Sequence, residues 1–579
     1  MIRGGALWAA LSVAFLAAPP SLEAQEGGAV PPREAAALTH QEVPALPDTL
    51  WKKVDQVFAF IEADAPGCAL GVIRDGRLAY GKGYGLANLD WGVPIGTSTV
   101  FDIASVSKQF TATAVALLDM DGVLSLDDDV RQWVPELPDY GVTITIRQLL
   151  NHTGGLRDYL TLLNLAGFDF ANVFDEEDGV RLIVRQRAPN FEPGSEYLYS
   201  NSGYLLLANI VRRASGMSLR EFLQDRVFEP LGMSGTSVWD RNTEVLANRA
   251  TGYSRAGTEG WRINHAWNFQ MGGDGQVITS VEDLARWDAN FYEPVLGGQG
   301  LLDRLHTRGV LSNGDTISYA LGLTLDRYRG LPRVQHGGSW AGFRSQLARF
   351  PEQRTSIVIQ CNRSDANPGA YATAVADLVL EEVFPEPPPA RRAGAPAATV
   401  ATGAAVTEVA PSPEILARWA GAYRHEARPE YRFFVVREGA LWLDAGGGTR
   451  LVALSDSSFQ APGGGAFLTF SPTPEGVRLE SSGTTFVRVP DYKPTAADLA
   501  ELAGRYHSDE LDAVFEIRVD GDRLTLLRPR NEPVPLRPGG PDEFVASGST
   551  LTFLWEEGRV VGFRVYAGRV TGIEFVRER

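Results

Sequence analysis

Cysteine is nearly absent: the 579 residues contain two, Cys68 and Cys361. That excludes a disulfide scaffold and a thiolate metal site. Both lie in strand-like runs, "GCALGVI" and "RTSIVIQCN", where two buried thiols acting as small hydrophobes are favoured over a bond. Histidine is also scarce, with seven, and no pair has the spacing of zinc ligands. Basic residues are outnumbered, 54 Lys and Arg against 71 Asp and Glu, giving a net charge of −17. Clustered cations drive phosphate binding, so nucleic acid is a poor partner for this chain. The acidic run Asp127 to Asp129 lacks the Gly and Glu spacing of a calcium loop and reads as a solvated approach to a helix.

Long apolar runs are missing beyond the N-terminus. There, Arg3 precedes an apolar run from Ala6 to Ala18, followed by small residues ending at Ala24. The run is short for a membrane span, has no twin-arginine pair, and is followed by no cysteine to accept lipid. Residues 1–24 therefore read as a cleaved secretory signal, implying a periplasmic or extracellular protein with no membrane span after its removal. Nucleotide motifs are missing too: "AGGGT" and "PGGGA" lack the Lys-Ser or Lys-Thr of a phosphate loop and read as turns. "GGSWAG" carries Ala341 where the nucleophile elbow of α/β-hydrolases needs Gly. The pattern calls for no cofactor.

What is present is ordinary globular material, 44% apolar and 22% charged, long enough for two to four domains at about 150 residues each. Residues 25–45, rich in Ala, Glu and Pro, read as an unstructured lead-in. From Leu50 the apolar residues Leu50, Trp51, Val54, Val57, Phe58 and Ile61 predict a one-faced helix with Asp48 as N-cap. "CALGVIRDGRLAYGKGYG" predicts a hairpin turning at Asp75-Gly76. Helical patterns dominate from Ser105 to Ala289, and strands return at "ALGLTLDRY", "RSQLARF" and "RTSIVIQC". Strands at both ends with helices between suggest one mixed sheet, within an α/β unit of residues 46–384. Residues 385–412, rich in Pro and Ala, read as a linker.

Beyond it the chain repeats. "LARWAGAYRHEARPEYRFFVVREGALWL" from Leu416 matches "LAELAGRYHSDELDAVFEIRVDGDRLTL" from Leu499 in its A-G-x-Y core and the strands that follow. Each copy, residues 413–490 and 495–579, is about eighty residues and predicts a small closed antiparallel β-barrel.

Chemistry concentrates at "ASVSKQF". On a helix starting near Ser105, Lys108 is three residues on and shares its face, whereas Ser107 points about 100° away. Ser105 is thus the candidate nucleophile, and Ser107 is left to satisfy a local carbonyl. A serine needs a base, and a lysine desolvated by "VFDIA" and "FTATAVALL" can act as one. S-x-x-K alone is weak, since a capping serine and a solvated lysine give the same pattern. Tyr199-Ser200-Asn201, after the Pro193-Gly194 turn and before a helical pattern, adds a proton shuttle and an amide. His336-Gly337-Gly338-Ser339 adds a stretch without bulk where a substrate backbone fits and an N–H can meet an oxyanion. His152, in "NHTGG", reads as a turn or supporting residue.

S-x-x-K, then Y-x-N, then a polar residue with Gly two positions later resembles the penicillin-recognising serine hydrolases: class C β-lactamases, D,D-carboxypeptidases, D-aminopeptidases and related esterases. "LLNHTGGL" and "GGDGQVITSVEDLARW" match further family segments, and the resemblance covers residues 46–384. It implies an antiparallel sheet flanked by helices, with a helical lobe. It also implies an acyl-enzyme on Ser105, with Lys108 and Tyr199 sharing acid and base work in an order left open. By the same resemblance Asn201 binds the acyl amide, and the N–H groups of Ser105 and Ser339 form the oxyanion site.

His336-Gly337 replaces the usual K-T of K-T-G, giving a mostly neutral ring and no hydroxyl. Carboxylate recognition by that strand weakens, which favours D-aminopeptidase or esterase activity on a small molecule or peptide over β-lactamase or D,D-carboxypeptidase activity. The layout with two barrels is similar to three-domain D-aminopeptidases, in which a barrel reaches over the site. A member without catalysis, using its barrels as a binding module, is the alternative of another class. Pocket shape depends on the loops at 160–185 and 239–270.

Overall fold

The computed structural model describes residues 47–168, 172–257, 260–264, 268–385, 408–444, 448–461, 467–474, 476–481, 483–529 and 531–579. The segments expected to be a secretory signal and a lead-in, most of the expected linker and most of both Gly-rich turns of the first repeat lie outside the described residues.

Helix α1 (Asp48–Gln56) starts after Pro47 with no side-chain cap, so Asp48 stands in the first turn and is not the N-cap expected. It also stops before Val57, and the apolar periodicity continues through turns to Phe58. The predicted hairpin pairs β1 (Cys68–Arg74) with β2 (Arg77–Tyr84). Its turn places Asp75 at φ 49° and Gly76 at φ 72°, the left-handed pair that suits the twist of a two-residue hairpin.

After the helical region, including α2 (Lys108–Met120), α3 (Asn201–Ser215) and α4 (Val281–Ala289), come β3 (Thr324–Tyr328), β4 (Leu331–Trp340), β5 (Phe343–Phe350) and β6 (Thr355–Cys361). The sheet order is β3-β4-β5-β6-β1-β2. Every pairing is antiparallel, so the mixed sheet suggested by the strand distribution is corrected. Hairpins fix the sense of β3-β4, β4-β5, β5-β6 and β1-β2, and the remaining pair, β6-β1, joins strands far apart in the chain and is antiparallel as well.

β1 and β6 are buried on both faces. Val54 from α1, Phe58 from the turn after it, and Tyr371 and Val375 from α5 (Pro368–Val379) cover one face over Leu70, Val72 and Ile359. The other face meets the helical lobe through Ala69, Ile73, Leu347 and Val358. Cys68 and Cys361 stand directly opposite each other in the β1–β6 register and form a disulfide, correcting the expectation of two thiols. Register decides this: central strands from opposite ends of the domain bring the two sulfurs face to face.

The second repeat is a closed eight-stranded barrel between Gly504 and Arg577. The first is a nine-stranded sheet, nearly closed, rather than the closed barrel expected. One strand breaks at Leu451, leaving Thr449–Arg450 on one edge and Val452–Ala453 on the other. Leu451 is buried and its N–H bonds the Leu441 carbonyl, so the break bends the strand across the gap. No helix among the described residues is long and apolar enough to cross a membrane.

The second barrel shares its core with the α/β unit: Leu162 and Leu165, from helix Tyr159–Leu165, are buried among Phe515, Leu526 and Phe575. Arg157 reinforces the join. Its guanidinium lies 2.5 Å from Glu510, and its Nε donates to the Thr571 carbonyl at 2.9 Å.

Candidate active site

Ser105 sits in a 3-10 turn, Ala104–Ser107, that feeds α2. Ala104 is held at φ 49°, a left-handed conformation unusual for a residue with a Cβ, and its N–H donates to Asp102 Oδ1 at 2.7 Å. Burial raises the Asp102 carboxyl to about pH 7. The bend presents Ser105 to a cleft of about 690 Å³. Ser107 turns away, but its hydroxyl accepts the Val277 N–H at 3.0 Å rather than satisfying a carbonyl as expected.

Lys108 is the first residue of α2 and fully buried. Its Nζ donates to Ser105 Oγ at 3.2 Å, Asn201 Oδ1 at 2.9 Å and the Asp274 carbonyl at 2.6 Å. Burial lowers its pKa to about 8, opposed by Asp274 and Asp158 and aided by Arg569. Its ammonium also lies 4.9 Å from the centre of the Tyr199 ring.

Tyr199 precedes α3, with its hydroxyl buried and without a well-formed hydrogen bond. Burial raises its pKa, and the facing Ser105 hydroxyl opposes that in part. His152, at φ 62°, packs its ring 4.1 Å from that of Tyr199 and accepts the Ser200 N–H at 3.2 Å. It supports the tyrosine from behind.

Asn201 opens α3 and is fixed at both ends of its amide. Oδ1 takes the lysine, while Nδ2 donates to Asp158 Oδ2 at 2.9 Å and the backbone N–H to the same oxygen at 2.8 Å.

His336, Gly337, Gly338 and Ser339 lie inside β4, not in a turn after it. Their strand runs against the Ser105 turn. A Cβ at Gly338 would stand 2.1 Å from the Ile103 carbonyl oxygen and 2.2 Å from Ser345 Oγ, so only glycine fits there. His336 Nδ1 faces the Gly337 carbonyl at 2.7 Å and must carry the proton, leaving Nε2 to accept from the Tyr319 hydroxyl at 2.9 Å. Burial, then Lys108, lowers its pKa to about 4, so the ring is neutral at pH 7.

Ser105, Tyr199, Asn201, His336, Gly337, Gly338 and Ser339 all border one cleft, with Lys108 beneath it. Sequence reasoning missed four supports. Asp158 holds Asn201, the Asp274 carbonyl holds Lys108, and Tyr319 holds His336. The fourth is Arg569, from the last hairpin of the second barrel. Its guanidinium lies over the Tyr199 ring at 4.8 Å and borders the cleft. "GGDG" marked Asp274 as part of a rim segment, but nothing local marks Arg569. Among the described residues no group of three or more His, Cys, Asp or Glu is placed to hold a metal ion.

The chain is similar to several known proteins. Penicillin-binding protein 4* of Bacillus subtilis is 31% identical over 325 residues, covering 54% of this chain and 71% of its own. A D-aminopeptidase of Cereibacter sphaeroides is 28% identical over 537 residues, covering 88% of this chain and 96% of its own. The octameric penicillin-binding protein homologue from Pyrococcus abyssi shares the fold, with a TM-score of 0.53 at 22% identity over 76% of this chain and 99% of that one. A model of the beta-lactamase family matches residues 48–381. The chain belongs to the beta-lactamase family and is a penicillin-recognising serine hydrolase.

Proposed function

We propose that this is an exported hydrolase that cleaves amides or esters through an acyl-enzyme on Ser105, in the manner of a D-aminopeptidase-type amidase. One observation carries the reading: a fully buried lysine whose three hydrogen bonds go to Ser105, Asn201 and one carbonyl. An ammonium has three protons for three acceptors. A neutral amine keeps two N–H bonds, to Asn201 and Asp274, and turns its lone pair to the Ser105 hydroxyl. Both protonation states are satisfied without movement.

Lys108 rather than Tyr199 takes the first proton in this reading, because burial lowers the lysine to about 8 and raises the tyrosine. Ser105 Oγ then bonds to the acyl carbon. As the C–N or C–O bond breaks, the leaving group receives the proton held by Lys108, relayed by the Tyr199 hydroxyl. Water, deprotonated by the same pair, then attacks the acyl carbon; the acyl–Oγ bond breaks, Ser105 takes the proton back, and the acid is freed. The N–H groups of Ser105 and Ser339 stabilise the oxyanion in both steps. The remaining Nδ2 hydrogen of Asn201 serves the acyl group.

The long match to a D-aminopeptidase supports an amide substrate. The neutral His336 and the bare Gly337 count against β-lactamase activity, and the N-terminal leader supports periplasmic or extracellular placement. A fluorophosphonate tests the reading: mass spectrometry should find the adduct on Ser105, and Ser105→Ala should abolish turnover. No adduct on Ser105 and no turnover would favour the non-catalytic alternative, whereas full turnover by the alanine variant would remove Ser105 as the nucleophile.

The pH profile tests the choice of base. A base active when deprotonated makes kcat/KM rise with pH and level off above its pKa. With Lys108 near 8, activity at pH 6 should be roughly a hundredfold below the plateau. A flat profile between pH 6 and pH 9 removes Lys108 from that role.

A further inference from the structure

The turn Ala567–Val570 of the second barrel is clamped to the hydrolase domain by its backbone, which leaves one side chain free to face the cleft. The Arg569 carbonyl accepts from Asn190 Nδ2 at 2.9 Å and from the Asp158 N–H at 3.3 Å. The Thr571 N–H returns to Asn190 Oδ1 at 2.8 Å. With its main chain fixed on both sides, Arg569 projects over Tyr199, its side chain 45% exposed. Among the described residues its guanidinium makes no hydrogen bond. The nearest carboxyl oxygen, Asp158 Oδ2, is 3.9 Å away and already accepts two bonds from Asn201.

The charges around the cleft are one-sided. Its charged lining side chains among the described residues are Arg569, Arg344 and Asp274. Arg344 is tied by Nη1 to the carbonyls of Ala341 and Phe343, at 3.0 and 2.6 Å. Asp274 is buried, with Oδ2 taking the Tyr159 hydroxyl at 3.2 Å. No carboxyl group there is both exposed and uncommitted, so a substrate ammonium would meet two guanidiniums and find no counter-charge. An anion would find a fork of donors held in place, its hydrogen-bonding capacity unspent beside one long ion pair to Asp158.

We infer that Arg569 is a specificity residue that binds an anionic group, a carboxylate, on the acyl part of the substrate, and that the enzyme selects such acyl groups over those with a free α-ammonium. This rests on the Ser105 acyl-enzyme reading and keeps its amide or ester chemistry, but it departs from a strict aminopeptidase, whose acyl part carries a free α-ammonium. The acyl side is indicated because Arg569 stands next to Asp158, which holds Asn201, the residue assigned to the acyl amide. Strand β4 gives up the lysine that would meet a carboxylate, and the barrel delivers a cation from another direction.

The test uses the full chain and three alkyl fluorophosphonates of equal length, ending in a carboxylate, a hydroxyl or a quaternary ammonium. The readout is the rate of Ser105 labelling. The carboxylate probe should react about tenfold or more faster than the ammonium probe, and about 0.5 M NaCl should compress that ratio because Arg569 is half exposed. Arg569→Gln should bring the ratio within about threefold, and Arg569→Glu should invert it. Arg564→Gln, an exposed change on the same hairpin, should keep the wild-type ratio. A ratio compares two probes on one protein, so a loss of folded material does not mimic the effect. A wild-type ratio near one, a preference for ammonium, or a ratio unchanged in Arg569→Gln overturns the inference while leaving the hydrolase reading intact. Failure of all three probes to label Ser105 instead overturns the hydrolase reading and takes this inference with it.

Discussion

The two C-terminal repeats are built alike and used differently. Each opens with a short helix, Pro413–Trp419 or Ala496–Leu502. In each, the tyrosine of A-G-x-Y donates to a carbonyl four residues back, Tyr423 to Trp419 at 2.9 Å and Tyr506 to Leu502 at 2.7 Å. In each, an arginine from the last strand reaches the end of that helix, Arg488 to the Arg418 carbonyl and Arg577 to that of Glu501. Their outer contacts diverge. The second barrel is fused to the hydrolase domain by shared core and a buried ion pair and sends Arg569 to the cleft. The first meets that domain through the exposed pair Arg428–Glu196 and grips the second barrel through Arg424, Tyr431 and Glu543. The cores are alike, and the loops and rims differ: one barrel borders the cleft and the other docks on that barrel.

The strongest way to break this contrast is at Glu510. It and Arg157 are 5% and 4% exposed, so Glu510→Ala leaves a guanidinium buried without its partner, which costs about 3–5 kcal/mol. The chain has several domains, so a single unfolding free energy is not defined. The expected readout is the early loss of the second barrel's calorimetric transition, with faster proteolysis near residues 490–510. Activity should fall with it, because Arg157 adjoins Asp158, and Asp158 fixes Asn201. Wild-type melting and turnover would show that the second barrel is no more integral than the first.

This division explains what was legible in the sequence. The helix spacing of Ser105 and Lys108, the hairpin at Asp75-Gly76 and the repeated A-G-x-Y are local patterns, and local geometry turns each into structure directly. The Cys68–Cys361 bond was not legible, because it depends on which strands from the two ends of the domain pair, and in what register. The broken strand at Leu451 turns on how one barrel closes, which alternation of apolar residues does not encode. Arg569 was least visible. It lies in a polar turn that reads like any other, and its neighbour Tyr199 is hundreds of residues earlier in the chain. The motifs pointed to a hydrolase site, whereas Arg569 reaches the cleft only through the docking of a domain.

A finer test asks whether the two cores are energetically as alike as they look. Tyr423→Phe and Tyr506→Phe each remove one buried hydroxyl bonded to a carbonyl, with an expected cost of about 1 kcal/mol apiece. The two losses, read by urea unfolding with a fluorescence probe in each barrel, should agree within about 0.5 kcal/mol. A much larger loss for Tyr506 would mean that docking on the hydrolase domain, rather than the shared core design, stabilises the second barrel.

The smallest effect is expected at the first barrel's own contact with the hydrolase domain. Arg428 and Glu196 are 39% and 47% exposed and 2.7 Å apart, where solvent and salt screen the attraction and two long side chains lose freedom to form it. Glu196→Ala should change stability by less than about 1 kcal/mol and leave kcat/KM within about twofold of wild type. Glu196 lies only three residues before Tyr199 in the chain, so this outcome is not trivial. If the substitution instead lowered turnover tenfold, the first barrel would be acting on the site through that pair, and the assignment of the two barrels to separate roles would fail.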